Sequence, residues 1–283
     1  VKQTIDRIRQ SYSSQVFNVE APVEMVPWFR QVQQQCNIVP YMKIDVPNPY
    51  VSQIRHQTED KDIYFITNCN PEEEIRIQAS FVDNGKTPWL WNAETGERTP
   101  YPTSSAPDLQ IVLGPAASQL IVFEKAKADK ATIPALPVKS LTPLSINEWN
   151  VRMEHINGDT KKLEIDTLVD WSTDPVTRDF AGVLYYEKTI GNAAGFYYLD
   201  LGKVYGVSEV ILNGESLGCK WYGNRVYQLP EHLAQAPVKT LQIKITTTVG
   251  NYLKSTPDNK IGQAWTHYQK WLPTGMIGPV KFV

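Results

Sequence analysis

The sequence predicts an all-β protein made of two β-sandwich domains preceded by a short helical segment. Its 283 residues exceed the size of one ordinary sandwich. Most of the chain alternates apolar and polar residues with a period of two, in short runs that turn signals separate. A stretch rich in Ala, Lys and Pro divides these runs into two groups. Because the strands follow one another without intervening helices, they favour sandwiches over parallel α/β folds.

The first segment, residues 1–45, has apolar residues at helical rather than strand spacing. Pro27 fits the first turn of the second of two predicted helices. Two short helices cover little core, and the chain starts at Val1 directly in helix-like sequence. We therefore expect a remnant of, or a linker to, an upstream region. The spacing is set by Ile5, Ile8 and Tyr12 in one helix and by Val26, Phe29 and Val32 in the other.

The first predicted sandwich spans residues 46–127. Trp89 and Trp91 flank Leu90 and should share one face of a strand, where core or domain-interface packing is favoured over ligand contact. The polar turns "QTEDKD", "NPEEE" and "NAETGE" separate neighbouring runs. The runs are "VSQIRHQT", "DIYFITNCN", "EIRIQASF", "WLWNAETG", "LQIVLG" and "SQLIVFEKA".

A linker is predicted at 128–143, and the second sandwich, a jelly roll, at 144–283. Asn213-Gly214 is typical of a type I′ hairpin turn, which needs positive φ at both central residues. "PEHLAQ" allows at most one helical turn. The strand-like runs are "LSINEWNVRMEHI", "TLVDWS", "GVLYYEKTI", "FYYLDLGKV", "SEVILNGESLGCKW", "RVYQLP", "TLQIKITTTVGNYL" and "GPVKFV".

Composition and charge exclude several classes of function. The net charge is −2 and no basic run is interleaved with aromatic residues, so neither nucleic acid nor an anionic membrane is expected as a partner. Cys36, Cys69 and Cys219 are widely spaced, without a CxxC pattern or a nearby His cluster. Neither a zinc site nor a disulfide framework is therefore indicated, and no apolar run reaches membrane-spanning length.

The second half resembles the galactose-binding-like jelly roll of glycoside hydrolases related to family 2. The resemblance rests on four stretches in order: "FAGVLYYEKTI", "YLDLGKVYGVSEVILNGESLGCKW", "LQIKITTTVGNYL" and "LPTGMIGPVKF". The first sandwich, through "IRHQTEDKDIYFITN" and "PWLWNAETGERTPY", is similar to the region after the catalytic barrel in family 106 α-L-rhamnosidase-like enzymes. Together the two resemblances extend from about Val51 to the end of the chain.

The resemblance implies a non-catalytic, C-terminal accessory part of a glycoside hydrolase. The catalytic carboxylates would lie on a (β/α)8 barrel preceding Val1, and this barrel and a plant-type polysaccharide would be the partners. A secreted or periplasmic location is implied as well. The chain itself has no series of strands alternating with helices, as a barrel would require. Two alternatives are a stand-alone lectin-like module and a chain that is itself hydrolytic.

Carbohydrate contact is predicted for aromatic and polar residues in two places. Trp265, His267, Tyr268 and Trp271 lie in "GQAWTHYQKWLPTG", which we expect to be a long loop before the last strand. Such a loop can stack rings on sugars and hydrogen-bond their hydroxyls, although packing onto its own sandwich or onto the barrel explains it equally simply. Tyr222 and Arg225 follow the Asn-Gly hairpin and are further candidates.

Catalytic and metal sites have weaker support in the sequence. A glycosidase needs two suitably placed carboxyl groups, but "PEEE" at 71–74 is typical of a solvated turn. No Gly-x-Ser-x-Gly motif occurs, and the four histidines are far apart in sequence. Asp170, Asp174 and Asp179 could bind a structural calcium ion through oxygen atoms, but their spacing does not match an EF-hand. We expect no cofactor.

Overall fold

A computed structural model describes residues 2–17, 19, 21–82, 85–101, 108–125 and 142–283. The predicted all-β class is confirmed, because antiparallel strands dominate and the described helices are few and short. The linker predicted at 128–143 falls almost wholly outside the described residues, and the boundaries of the domains stay predictions. No described helix is both long and apolar enough to cross a membrane.

The described residues contain five short helices. Pro27 lies in the first turn of the second helix, where its missing N–H costs no hydrogen bond. The predicted single turn at "PEHLAQ" is a four-residue helix. The helices are α1 (Lys2–Ser11), α2 (Met25–Gln35), α3 (Glu231–Ala234), α4 (Gly250–Ser255) and α5 (Lys260–Thr266).

The first sandwich packs a three-stranded sheet, ordered β1-β4-β7, on a five-stranded sheet, ordered β2-β3-β8-β5-β6. Strand β4 buries every second residue, as its period of two predicts. In the core, Tyr64 contacts Phe81 edge-on at 4.8 Å between ring centroids, and Phe123 lies 4.9 Å from Phe81. The strands are β1 (Met42–Ile44), β2 (Val51–Gln57), β3 (Lys61–Asn68), β4 (Ile75–Phe81), β5 (Thr87–Trp91), β6 (Arg98–Pro100), β7 (Asp108–Leu113) and β8 (Ser118–Glu124).

The second sandwich has a six-stranded sheet, β11-β10-β12-β18-β15-β16, a four-stranded sheet, β17-β13-β20-β9, and a separate pair, β14-β19. Its strands are β9 (Leu144–Ile146), β10 (Trp149–His155), β11 (Thr160–Ile165), β12 (Gly182–Ile190), β13 (Tyr198–Asp200), β14 (Lys203–Tyr205), β15 (Val207–Leu212), β16 (Glu215–Lys220), β17 (Val226–Gln228), β18 (Lys239–Thr246), β19 (Gly275–Gly278) and β20 (Val280–Phe282). A core separate from that of the first sandwich fills the space between its sheets.

The Asn-Gly hairpin forms as predicted. Asn213 and Gly214 have φ values of 52° and 84° and join β15 to β16 with a two-residue turn. The Asn213 Oδ1 also accepts a 2.7 Å bond from Thr240 N, which fixes the turn to β18. Along β15, Ser208, Val210 and Leu212 are buried and Val207 is exposed. The register with β16 shifts between Glu209 and Ile211, which is typical of a β-bulge.

One predicted strand is not a strand, and another is shorter than predicted. "TLVDWS" is an irregular loop whose Trp171 is buried because its Nε1 donates to Tyr186 Oη at 2.8 Å. The end of "TLQIKITTTVGNYL" turns into α4 after β18 ends at Thr246. Strand β11, which precedes the "TLVDWS" loop, is not among the predicted strands. It lies at the edge of its sheet and is largely exposed, so its sequence has few apolar residues and shows little alternation.

Candidate functional site

The six residues predicted to contact carbohydrate lie in two different places. Four belong to the segment from α5 to Trp271, here called the aromatic segment. Tyr222 lies where the sandwiches meet, and Arg225 is buried nearby in the chain. The structure therefore does not bring all six together. The two regions are described in turn.

The aromatic segment is only partly the long loop that the sequence predicts, because α5 includes its first residues up to Thr266 while His267, Tyr268 and Trp271 follow the helix in irregular structure. Asn259 begins α5 by accepting a 2.8 Å bond from Gly262 N. Gln263 Nε2 approaches three carbonyl oxygens at the end of α4, those of Leu253, Lys254 and Thr256, at 2.9–3.0 Å. These bonds hold the two helices together as a pair.

The Trp271 ring of the aromatic segment contacts side chains of the second sandwich. The Arg178 guanidinium lies 4.6 Å from the Trp271 ring centroid, and Lys254 Nζ lies 5.7 Å from it. His267 contacts Tyr268 edge-on at 4.8 Å, and Tyr268 is 92% exposed. Trp265 belongs to α5, and its side chain is outside the described part of the structure. Exposed rings can contact a partner but do not by themselves enclose a ligand.

Arg225 lies inside the protein rather than at a surface. Its guanidinium donates to the carbonyl oxygens of Gly223 at 2.9 Å and of Gly206 at 3.3 Å. Burial lowers the pKa of Arg225. These contacts give Arg225 a structural role in positioning the turn that follows Tyr222.

Tyr222 lines a cleft of about 400 Å³ where the two sandwiches meet, which we call the seam cleft. The first sandwich contributes Trp91, Asn92 and Glu94 from β5 and its hairpin, together with Gln119 of β8. Lys220, the last residue of β16, comes from the second sandwich with Tyr222. The cleft therefore exists only while the sandwiches are docked.

The hairpin loop that forms one side of the seam cleft is fixed by its own hydrogen bonds. Asn92 Oδ1 accepts from the backbone N–H groups of Glu94 and Thr95 at 2.9 and 3.3 Å. Gly96 follows with a φ of 75°, a conformation that glycine adopts without a steric cost. Glu94 is thereby held facing the second sandwich.

Glu94 joins the two sides of the seam cleft. Its Oε1 accepts from Trp221 Nε1 at 3.2 Å, and the Trp221 ring contacts Tyr222 edge-on at 4.8 Å. Burial, and then the negative charge of Glu94 and a hydrogen bond to it, raise the pKa of Tyr222. Tyr222 therefore stays a neutral hydroxyl at ordinary pH.

Two polar atoms in the wall of the seam cleft are buried without a hydrogen-bond partner within the described structure. They are Nε1 of Trp91 and Oε1 of Gln119. Such atoms are uncommon in folded proteins because an unmade buried bond costs about 1–3 kcal/mol. Trp91 lies on the outer face of its sheet, since Leu90 between it and Trp89 packs on the core.

The acidic loop does not form a metal site in the described residues. Asp170 Oδ1 accepts from the backbone N–H groups of Ser172 and Thr274, each at 2.9 Å. Asp174 Oδ1 accepts from Val176 N at 2.9 Å. These carboxylates are thus used to shape turns, and no group of three His, Cys, Asp or Glu residues in the described chain could hold a metal ion.

Sequence reasoning missed most of the seam cleft. Trp91 was predicted to pack in the core or at a domain interface, and Glu94, Gln119 and Lys220 were not considered. Glu72 is exposed in its turn, and its carboxylate also accepts from Lys203 Nζ at 2.7 Å and from Tyr205 Oη at 2.9 Å, a contact that the sequence does not predict. The one available signal was that aromatic residues flank polar hairpin turns in both sandwiches.

Comparison with known proteins gives a fold but no family. No family model matches the chain, and no curated protein matches it. Among solved structures, the rhamnosidase from Novosphingobium sp. PP1Y matches 89% of this chain and 26% of its own, with a TM-score of 0.65 and 22% identity. The chain thus spans about a quarter of that enzyme and shares its fold there.

Weaker likenesses link the chain to other glycoside hydrolases. The β-glucuronidase from Ruminococcus gnavus matches 37% of this chain and 21% of its own, with a TM-score of 0.31 and 18% identity. The GH2 β-galacturonidase from Eisenbergiella tayi matches 50% of this chain and 24% of its own, with a TM-score of 0.35 and 15% identity. These scores are too low to support an argument, and the statement of a shared fold is based on the rhamnosidase match.

Proposed function

We propose that this chain is a non-catalytic accessory part of a rhamnosidase-like glycoside hydrolase acting on a plant-type polysaccharide. In this proposal it packs against the catalytic barrel of the same polypeptide and contributes to carbohydrate binding. The fold shared with a rhamnosidase over 89% of the chain supports the hydrolase context. A secreted or periplasmic location, and the jelly-roll, galactose-binding-like nature of the second sandwich, are parts of the same proposal.

An uncovered apolar surface carries the docking part of the proposal. Within their described residues, α1 and α2 bury no side chain, and Phe29 of α2 is 48% exposed. A groove of about 1170 Å³ with a largely apolar lining separates α2 from β1 and β2. Free proteins seldom expose so much contiguous apolar surface, whereas surfaces that dock to another domain do. The other large exposed apolar residues that line this groove are Met25, Val26, Ile38, Val39 and Tyr41.

The test compares the complete translation product of the gene with the 283-residue chain. An aryl α-L-rhamnoside is the substrate, and hydrogen exchange is followed at α2. We expect turnover and slow exchange in the complete product, but no turnover and fast exchange in the 283-residue chain. Hydrolysis by the 283-residue chain would contradict the non-catalytic assignment.

A variant pair tests the docking surface directly. Phe29→Ser in the complete product should accelerate exchange at α2 and lower thermal stability, because an apolar contact with the barrel is lost. Gln31→Ser, at an exposed polar position of the same helix, is the matched control. Fast exchange at α2 in the unmodified complete product would instead favour the stand-alone, lectin-like module.

A further inference from the structure

We propose that the seam cleft binds a neutral carbohydrate, at a place separate from the aromatic segment around Trp271. The choice of ligand class rests on the proposed function, while the location rests on the geometry of the cleft. Both sandwiches supply the walls, so the site belongs to the docked pair. A volume of about 400 Å³ lies within the usual range of small-ligand clefts, ~300–1,000 Å³.

The cleft has an aromatic surface on which a sugar ring can stack. Trp221 does not line the cleft, but it contacts Glu94 and Tyr222, which do. It is 65% exposed, and the bond from its Nε1 to Glu94 and its edge contact with Tyr222 hold its ring in place. Phe65 and Trp91 add apolar surface within the cleft. An exposed ring that is already immobilised loses little conformational entropy on binding, and its face suits the C–H groups of a sugar.

The charges of the cleft favour a neutral ligand over an anionic one. Glu94 and Glu97 line it together with Lys220. Two carboxylates against one ammonium group give the lining a net negative charge, which disfavours an anionic sugar or a phosphate. A neutral polyol fits the lining, since its hydroxyl groups can donate to the carboxylates and accept from the ammonium group.

Unused hydrogen-bonding capacity in the wall supports the same ligand class. Trp91 Nε1 can only donate, and Gln119 Oε1 can only accept. A sugar hydroxyl can do both, so small movements of these side chains toward a bound sugar would satisfy both atoms. No other described side chain satisfies them at present.

The experiment titrates the 283-residue chain with methyl α-L-rhamnopyranoside, lactose and cellobiose, using calorimetry and tryptophan fluorescence. We expect at least one of these neutral probes to saturate the chain at millimolar concentration. Galacturonic acid should bind at least about tenfold more weakly, because its carboxylate would lie against the two carboxylates of the cleft.

Three variants test whether the sugar binds in the seam cleft. Trp221→Ala and Glu94→Gln should each weaken binding about tenfold or more, and Trp221→Phe should restore part of the affinity because it keeps a ring at this position. Tyr12→Ala removes an exposed aromatic side chain just after α1 and is the matched control. Far-UV circular dichroism and thermal unfolding establish that every variant is folded.

Two results would overturn the proposal. One is the absence of binding by all three neutral probes up to about 50 mM. The other is binding that Tyr268→Ala abolishes and Trp221→Ala leaves intact, which would place the sugar at the aromatic segment. Neither result bears on whether α2 docks to a barrel, so this proposal and the proposed function can fail independently.

Discussion

Lys239 is a lysine with no exposed surface, at the start of β18. Its ammonium group donates to the carbonyl oxygens of Ala193 and Ala236 at 2.6 Å each and of Ala234 at 3.2 Å. The last of these closes α3, a helix too short to satisfy its own end. One cation therefore ties three chain segments together.

Replacing this cation should be costly. We expect Lys239→Met to lower the free energy of unfolding by about 1–3 kcal/mol, because buried carbonyl groups lose their donor. Urea unfolding at neutral pH measures the change. Lys188→Met is the control, since Lys188 forms only a surface pair with Glu148 and should change stability by less than about 0.5 kcal/mol. Equal effects of the two substitutions would contradict the assigned role of Lys239.

The same residue predicts a pH dependence. Burial lowers the pKa of Lys239 below its usual value of 10.5, although the three carbonyl groups limit the change. Between the lowered pKa and 10.5 the unfolded chain binds more protons than the folded chain, so stability should rise with pH in that window. Lys239→Met should remove this rise. A wild-type stability that is flat or falling with pH there would refute the direction.

At the scale of elements, Gln263 joins α4 to α5. We expect Gln263→Leu to accelerate hydrogen exchange throughout 250–267 without changing exchange in β12 or β18, because the bonds it loses all lie between the two helices. Lys260→Ala, at an exposed position of α5, is the control. Accelerated exchange in the core strands would mean that the helix pair supports the sandwich as a whole.

Elements with a clear period were predictable from sequence, and those set by tertiary contacts were not. Strand β4 alternates buried and exposed residues over its whole length, so its pattern matched its environment. The apolar residues of "TLVDWS", including Trp171, predict a strand, but the segment is a loop. Trp171 is buried there and donates a hydrogen bond to Tyr186, fifteen positions away in the sequence. Helices α4 and α5 are stabilised by side chains that bond across them, which a local pattern does not reveal.

The seam cleft was unpredictable for a related reason. Glu94 and Trp221 are 127 positions apart, and their contact depends on how the two sandwiches dock. The aromatic residues were visible in the sequence, but their convergence was not. Tyr268, which the sequence predicts to contact carbohydrate, lies on an open surface and not in the seam cleft.

At the scale of the whole molecule, a few polar contacts hold the sandwiches in register. Glu72 of the first sandwich accepts from Lys203 and Tyr205 of the second, and Glu94 accepts from Trp221. Gly223 approaches Ala117 so closely that an added Cβ would lie 3.3 Å from the Ala117 Cβ. None of these groups lies in either core, so docking and folding should be separable.

The double variant Glu72→Ala/Glu94→Ala should undock the sandwiches while leaving both folded. The radius of gyration from small-angle scattering should increase, and thermal unfolding should divide into two transitions. The bonds from Lys203 and then Tyr205 lower the pKa of Glu72, so in the wild-type chain its contribution is present above about pH 4.5 and is lost as the pH falls through the lowered value. Glu164→Ala/Glu187→Ala removes the same charge from exposed positions of one sheet and should leave both measurements unchanged. A compact double variant with a single transition would show that the remaining contacts suffice, and the seam cleft would then stay intact without either carboxylate.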